Sequence, residues 1–556
     1  MKALLAAAAA SALLAGCASY VQPGASATRI DPARLSEHTR ILASDPFGGR
    51  AMGTDGEERT VRYLIEQFAA AGLEPGGENG GWTQIVPLIR TRVSPQARFS
   101  IRQSGETVPL RFPEDVYMTT VRPVEAARVA AAPMVFVGYG VSAPERGWDD
   151  FGDVDLRGKV AVFLVNDPDF EAAAGEPAHA RFGGEAMTYY GRWSYKFEEA
   201  ARRGAVAALV IHETEGAGYG WNVVQSPGGE NYNIVLGEGA QQPVLLQGWI
   251  QRPAAEALFR RAGLDFERVR REARSGRFRP VDLRAAFSAE TPVELARIES
   301  RNVLGKLTGR TRPNESVMFA GHWDSFGMGP PDAQGRRIRP GAVDDALGIA
   351  GLIELGRIFA AGPRPQRTIV FAAWTAEERG LLGAEHYAQN PIYPLETTAA
   401  NLTMDVLQTA GAARDVVLIG RGQSDMEDLL TQAAAAQRRT VTPESHPERG
   451  LFFRADHFAL ARRGVPPLLI MALAGGNDLV RGGRAAGERW VSDYTANCYH
   501  QPCDAWSADW DLAGAVQDID LVRRIGWSLA ESRAWPAWRE GSEFAAVRAR
   551  SAAARR

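Results

Sequence analysis

Polar residues at the ends of strand-like apolar runs constrain the fold of this chain more than any other feature. His322 follows the apolar run 317–321, and Glu377 and Glu378 come just after the run 368–374. In α/β proteins the carboxyl ends of the strands are where functional side chains collect. We therefore expect these residues to meet at one edge of a sheet.

Strand and helix patterns alternate along much of the chain. Apolar spacing predicts helices near 32–43, 56–71, 348–361 and 511–535, with strands such as 368–374 between the later ones. This alternation indicates an α/β fold with a mostly parallel central sheet flanked by helices.

The stretch from about residue 99 to residue 280 has a different pattern. It contains short β-like runs, such as 134–140 and the unbroken apolar run 158–165, and the first pattern returns near residue 281. A length of 556 residues also favours more than one domain. We therefore predict a β-rich segment inserted into the α/β fold.

Composition excludes one class of partner. Hydrophobic residues make up 45% of the chain and charged residues 23%, which is ordinary for a globular protein. The net charge is −3, and the short C-terminal tail carries the one basic run. We expect no nucleic-acid binding.

The N-terminus has the pattern of an export signal. A single Lys2 precedes a small and apolar run over residues 3–14, which is too short to span a membrane. The ending Leu14-Ala15-Gly16-Cys17 resembles a bacterial lipoprotein signal, in which the cysteine is lipidated. The alternative is a simple cleaved signal. Either way we expect an exported protein, in the periplasm or at the outer membrane or cell surface. If the signal is that of a lipoprotein, the lipid anchor is the protein's only attachment to the membrane.

Two cysteines flank a histidine late in the chain. Cys498 and Cys503 enclose His500, and an exported protein can form disulfides. A disulfide, free thiols and soft metal ligands all remain open. A structural zinc site would need a second cysteine pair, which the sequence lacks.

The residue types near the strand ends match the needs of a two-metal hydrolase. Such a site needs imidazole and carboxylate ligands, one of them bridging, and a free carboxylate to move protons. Two adjacent glutamates, Glu377 and Glu378, at the end of a buried strand are costly unless a cation is present. Asp405 lies inside an apolar run, where a carboxylate needs a partner.

Other candidates have competing explanations. Asp324 lies close enough to His322 to orient the imidazole. Asp344 stands just before a helix, where a lone aspartate would be an N-cap. The loop residues Asp456 and His457 are substrate contacts, residues that support the site, or part of a plain surface loop.

Five motifs, in order and spacing, resemble the co-catalytic zinc peptidase family of secreted bacterial aminopeptidases, glutamate carboxypeptidase and the transferrin receptor. They are His322-Trp323-Asp324, Gly341 to Gly348, Trp374 to Gly383, Asn401 to Asp405 and Tyr499-His500. Residues 31–75 resemble the N-terminal segment of that family, and residues from about 100 to 280 look like its inserted protease-associated domain. The resemblance covers nearly the whole mature chain.

The resemblance implies a site for two zinc ions per chain. It assigns His322 and Glu378 to one ion, Asp405 and His500 to the other, and Asp344 as the bridge. It also implies a cis peptide bond between Asp344 and Asp345.

The remaining implied roles are catalytic. Glu377 is the general base and later the acid, and Asp324 orients His322. The expected activity is that of a zinc-dependent exopeptidase, most of all an aminopeptidase. A carboxypeptidase, a glutaminyl cyclase-like enzyme and a non-catalytic binding protein are the alternatives on the same scaffold.

The expected division of the chain follows from these observations. It runs 1–16 for the lipoprotein signal peptide, 17–98 for the first part of the catalytic domain, 99–280 for the inserted protease-associated domain, 281–545 for the main catalytic domain and 546–556 for a basic tail.

Overall fold

The computed structural model describes residues 29–555. The expected signal peptide and Cys17 lie outside the described residues, and so does Arg556. Within the described range, no helix combines the length and the apolar character needed to cross a bilayer.

Helices and strands alternate as the sequence predicted in the second half of the chain. The α-helices of residues 29–555 are α1 (Pro32–Leu42), α2 (Asp55–Ala70), α3 (Trp193–Arg202), α4 (Thr214–Ala217), α5 (Trp221–Gln225), α6 (Arg252–Arg261), α7 (Phe266–Glu272), α8 (Leu347–Ala361), α9 (Leu382–Gln389), α10 (Met426–Ala436), α11 (His457–Ala461), α12 (Gly483–Asp493), α13 (Ala513–Glu531) and α14 (Ala545–Arg550). The strands are β1 (Glu74–Pro75), β2 (Thr83–Val93), β3 (Arg98–Gln103), β4 (Glu106–Leu110), β5 (Val116–Thr119), β6 (Ala126–Phe136), β7 (Ser142–Ala143), β8 (Trp148–Asp149), β9 (Val160–Leu164), β10 (Ala207–His212), β11 (Glu230–Ile234), β12 (Leu246–Gln251), β13 (Val281–Leu307), β14 (Arg312–His322), β15 (Gly327–Met328), β16 (Ile338–Arg339), β17 (Arg367–Trp374), β18 (Thr398–Met404), β19 (Asp415–Leu418), β20 (Thr440–Pro443) and β21 (Pro467–Ile470).

Four parallel strands form the part of the sheet that matters for the site. Their order is β17, β14, β18, β21, and each adjacent pair is parallel. Antiparallel β13 and β2 extend the sheet beyond β17. The predicted α/β class with a mostly parallel central sheet is confirmed, and the parallel strands bring their carboxyl ends to one edge.

The central strands are buried on both faces, which explains their unbroken apolar runs. Phe319 and Phe371 face the helices α1, α2, α8 and α13, while Met318 and Val370 pack toward α9 and α11. Successive residues of a strand point to opposite faces, so each strand supplies two cores at once. The sheet is therefore held rigidly between two helical layers.

A second group of strands occupies the middle of the chain. Its order is β6, β9, β10, β12, β5, with β3 and β4 alongside. The long strand β13 joins both groups: residues 281–292 pair with β6, and residues 293–307 pair with β2 and β17. Both sheets thus share one continuous backbone segment.

Candidate metal centre

The ends of the parallel strands place the candidate ligands together. His322 is the last residue of β14, Asp405 follows β18 directly, and Glu378 lies in the turn after β17. Asp344 lies in the turn Ala342–Ala346 that opens α8, and His500 comes after the turn Tyr494–Cys498. Elements from five parts of the chain therefore converge on one edge.

Asp344 lies between the two histidines. Its Oδ1 is 3.1 Å from His322 Nε2, and its Oδ2 is 3.3 Å from His500 Nε2. The two oxygens of one carboxylate thus face two different imidazoles, which is the geometry a bridging ligand needs. The Asp344–Asp345 peptide bond is cis, as expected.

The ligand atoms form two groups that share Asp344. One group is His322, Asp344 and Asp405, and the other is Asp344, Glu378 and His500. His322 Nε2 is 3.6 Å from Asp405 Oδ1, and His500 Nε2 is 3.2 Å from Glu378 Oε2. The expected pairing of His322 with Glu378 and of Asp405 with His500 is therefore wrong, and the two outer carboxylates exchange places. Both follow strands adjacent to β14, so strand order alone does not decide the pairing.

The site has the burial and charge that a pair of divalent cations would match. Glu378 Oε1 and Asp405 Oδ1 are buried and accept no hydrogen bond within the described part of the chain. Burial raises the pKa of Glu378 well above its usual range, and the charges of Asp344 and Glu377 raise it further. Buried carboxylates this close repel one another unless positive charge lies between them. The residues present fit two bound metal ions.

Glu377 stands apart from both ligand groups. Its Oε2 lies 4.0 Å from His322 Nε2. Burial raises the pKa of Glu377 well above its usual range, and the nearby carboxylates of Asp405 and Asp456 contribute. A carboxyl group next to metal ligands with a raised pKa has the properties of a proton carrier.

Asp324 positions two parts of the site at once. Its carboxylate accepts hydrogen bonds from the backbone N–H groups of Glu377 (3.0 Å) and Glu378 (3.4 Å). His322 Nδ1 lies 3.1 Å from the backbone carbonyl of Asp324 and 3.7 Å from its Oδ1. Asp324 therefore orients His322 mainly through its main chain, while its side chain fixes the two glutamates.

Three buried residues that support the site were missed at the sequence level. Arg50 donates to the carbonyls of Trp323 (2.7 Å) and Gly341 (2.8 Å), which flank two ligand-bearing segments. Asp345 accepts the N–H of His322 (3.2 Å), and Asp504 accepts the N–H of Asp344 (3.2 Å). These contacts join residues far apart in the sequence. For Asp345, its place beside the bridging aspartate was the available signal.

Asp456 lies near the cluster, and neither Asp456 nor His457 is on the surface. Both are buried, and Asp456 Oδ1 accepts no hydrogen bond within the described residues. Burial raises the pKa of Asp456 well above its usual range.

Cys498 and Cys503 form a disulfide that encloses His500, so of the three open interpretations of this pair the disulfide is the one observed.

Comparisons with known proteins agree with this geometry over part of the chain. Residues 302–522 match the sequence profile of peptidase family M28. A probable zinc metalloprotease of Pyrenophora teres f. teres (strain 0-1) is 42% identical over 110 residues, which are 20% of this chain and 23% of that protein. The aminopeptidase NAALADL1 of Mus musculus is 34% identical over 113 residues, which are 19% of this chain and 14% of that protein.

Longer similarities are weaker. A probable zinc metalloprotease of the same Pyrenophora strain is 29% identical over 270 residues, which are 42% of this chain and 52% of the relative. The chain thus matches about half or less of the length of these relatives. Among solved structures, the aminopeptidase from Aneurinibacillus sp. strain AM-1 has a TM-score of 0.49 at 19% identity, over 91% of this chain and 95% of that one.

Proposed function

We propose that this chain, which carries a domain of peptidase family M28 over residues 302–522, is a zinc-dependent exopeptidase that removes N-terminal residues from peptides. The observation that carries the proposal is the position of Asp344, whose two carboxylate oxygens face His322 and His500. The bridging position joins both ligand groups into one site. The name of the similar mouse aminopeptidase supports the choice of substrate end.

The metal ligands divide between two zinc ions. His322 and Asp405 would hold one, Glu378 and His500 would hold the other, and Asp344 would contribute to both. When bound, zinc supplies positive charge that polarises a carbonyl group and makes water more acidic.

Glu377 moves the proton in this mechanism. Its side chain lies beside the ligands without joining either group, so its carboxylate is free to accept a proton from water. It then donates that proton to the amine that leaves. Asp324 keeps Glu377 in place by accepting its backbone N–H.

The activity test compares dipeptide anilides with free and with blocked amino termini. We expect hydrolysis of the free peptide alone, loss of activity with a chelator and recovery with zinc. Equal hydrolysis of both peptides would contradict the aminopeptidase assignment, and activity unaffected by chelation would contradict the metal centre.

A substitution tests the bridge directly. Asp344→Ala removes the ligand that both ions share, so elemental analysis should find both zinc ions lost. Two zinc ions at full occupancy in this variant would refute the bridging role.

We also propose the wider arrangement of the protein. Residues 99–280 form the inserted protease-associated domain, and the first half of β13 supports this by completing its sheet. The lipoprotein-like ending at Cys17 supports export and a lipid anchor. Radiolabelled palmitate incorporation, abolished by Cys17→Ser, would test the anchor.

A further inference from the structure

Two arginines lie on the His500 side of the metal centre without forming an ion pair. Arg379 follows Glu378 in sequence, and Arg339 ends the short strand β16. No carboxylate of residues 29–555 lies within 4.0 Å of either guanidinium. Both guanidinium groups therefore lack an acidic partner among the described residues.

Aromatic rings hold Arg379 in place. Its guanidinium carbon lies 4.9 Å from the ring centroid of Phe326 and 5.2 Å from that of Tyr232. Phe326 also contacts the ring of His500, at 4.3 Å between ring centroids. Arg379 is therefore one ring away from a metal ligand, and its buried Nε has no hydrogen-bond partner among the described residues.

Arg339, in the hairpin of β15 and β16, is held beside the same ligand. Arg339 Nε donates to the carbonyl of His500 at 3.1 Å. Its guanidinium lies against Gly329, where an added Cβ would come within 1.3 Å of Nη1 and displace it. The remaining N–H groups of Arg339 make no hydrogen bond with the described residues.

Each of the two positive charges makes a bound anion more favourable for the other. Burial lowers the pKa of Arg339, and the positive charge of Arg379 lowers it further. Glu230 contributes negative charge in the region of Arg379, but its carboxylate already accepts hydrogen bonds from Arg92 (2.6 Å) and Tyr232 (2.9 Å). The nearby protein carboxylates thus leave the guanidinium groups unpaired.

We propose that Arg339 and Arg379 form a carboxylate-binding subsite, so that the enzyme prefers peptides with a carboxylate next to the scissile bond. Guanidinium groups bind carboxylates through paired, charge-assisted hydrogen bonds, and the aromatic contacts hold Arg379 ready for this. The inference rests on the proposed peptidase function. The carboxylate comes either from an acidic side chain or from the free C-terminus of a dipeptide.

Matched peptides distinguish these sources. The zinc-loaded protein is assayed with three pairs of peptides. Alanyl-alanine against its amide tests the free C-terminus. Alanyl-glutamate amide against alanyl-glutamine amide, and glutamyl-alanine amide against glutaminyl-alanine amide, test an acidic side chain on either side of the scissile bond. We expect at least one carboxylate-bearing peptide to exceed its neutral partner by about tenfold in kcat/KM, mainly through a lower KM.

Variants assign that preference to the arginines. Arg339→Gln and Arg379→Gln should each reduce the ratio between the charged and neutral peptide to near one, while Arg261→Gln, an exposed arginine at the end of α6, should keep it. If the arginines only offset the acidic cluster, the variants would change zinc affinity and slow all peptides equally. That result, or a ratio near one in the unchanged protein, would overturn the subsite.

Binding separates this inference from the proposed function. If none of the peptides is hydrolysed, the proposed function fails, and calorimetry with the same peptides still tests the subsite. Tighter binding of the carboxylate-bearing peptide, lost in both arginine variants, supports the subsite, and equal binding of each pair overturns it.

Discussion

Asp344 is the residue that joins the two ligand groups into one site. Its position before a helix is also that of an ordinary N-cap, and only its place among the other motifs favoured a ligand. In the structure its two oxygens face different histidines, and Asp504 accepts its backbone N–H. Burial raises the pKa of Asp504 to about 7. Asp504 is therefore only partly ionised near neutral pH, and positive charge in the site would favour its ionised form.

Glu377 should separate catalysis from metal binding. Glu377→Gln keeps the size of the side chain but cannot carry the proton, so we expect kcat to fall by about 10²–10⁴-fold. Zinc content measured by elemental analysis should stay unchanged. Glu378→Gln is the matched control and should lose zinc, because it alters a ligand. Near-normal turnover of Glu377→Gln would contradict its role.

His457 should make stability depend on pH. Burial lowers its pKa to about 3, whereas an unfolded histidine titrates near 6.5. Between these values the unfolded chain binds more protons, so the free energy of unfolding falls as the pH falls from about 6.5 toward about 3, by up to about 1.4 kcal/mol per pH unit.

The corresponding measurement compares His457→Phe with the unchanged chain. Both are unfolded in denaturant at several pH values, without metal, so that metal release does not contribute. The variant should show the smaller loss of stability below pH 6.5, and identical slopes would show that His457 does not titrate in this way.

At the scale of elements, the site depends on contacts between the N-terminal helices and the strand ends. Arg50 follows α1 and donates to Leu42 (3.0 Å) as well as to Trp323 and Gly341. Its guanidinium is fully buried, so its hydrogen bonds have no water to replace them. One side chain thereby links α1, the end of β14 and the turn that carries Asp344.

Arg50→Lys should therefore destabilise the protein strongly. Lysine keeps the charge but cannot reach several carbonyls in fixed directions, and each buried carbonyl left unpaired costs about 1–3 kcal/mol. We expect a loss of about 3 kcal/mol or more in unfolding free energy, measured in denaturant. Arg40→Lys, in the exposed pair with Glu37, is the control and should change little. Similar stability of both variants would contradict the linking role.

The sequence predicted elements well and contacts between them less well. The helices near 348–361 and 56–71 were recognised because their apolar spacing is local. Arg50 and Asp504 escaped notice because their partners lie far away in the chain. The exchange of Glu378 and Asp405 between the two ligand groups depends on the direction in which each side chain points from its turn. Residue spacing does not predict that direction.

At the scale of the whole molecule, the segment between β9 and β10 packs directly on the part of the chain that carries the metal ligands. The ring of Tyr189 lies 5.0 Å from that of Phe458 and 6.2 Å from that of Phe453, and the N–H of Met187 donates to the carbonyl of Pro447 at 3.1 Å. This middle segment thus contacts the loop that leads to Asp456.

Tyr189→Ala should weaken this packing. Removing a buried aromatic ring costs about 3–5 kcal/mol when the cavity does not close, so we expect a clear fall in Tm. Tyr189→Phe removes only the hydrogen bond to Glu198 (2.6 Å) and should cost much less. Equal Tm values for the alanine and phenylalanine variants would show that the ring does not join the two parts.

The continuous strand β13 has a consequence for exchanging parts between related proteins. Because side chains alternate along a strand, one added or missing residue at the join would turn every later side chain to the opposite face. A chimera that takes its middle segment from a relative must therefore match the donor strand to residues 281–307 residue by residue, since no slack linker absorbs a mismatch.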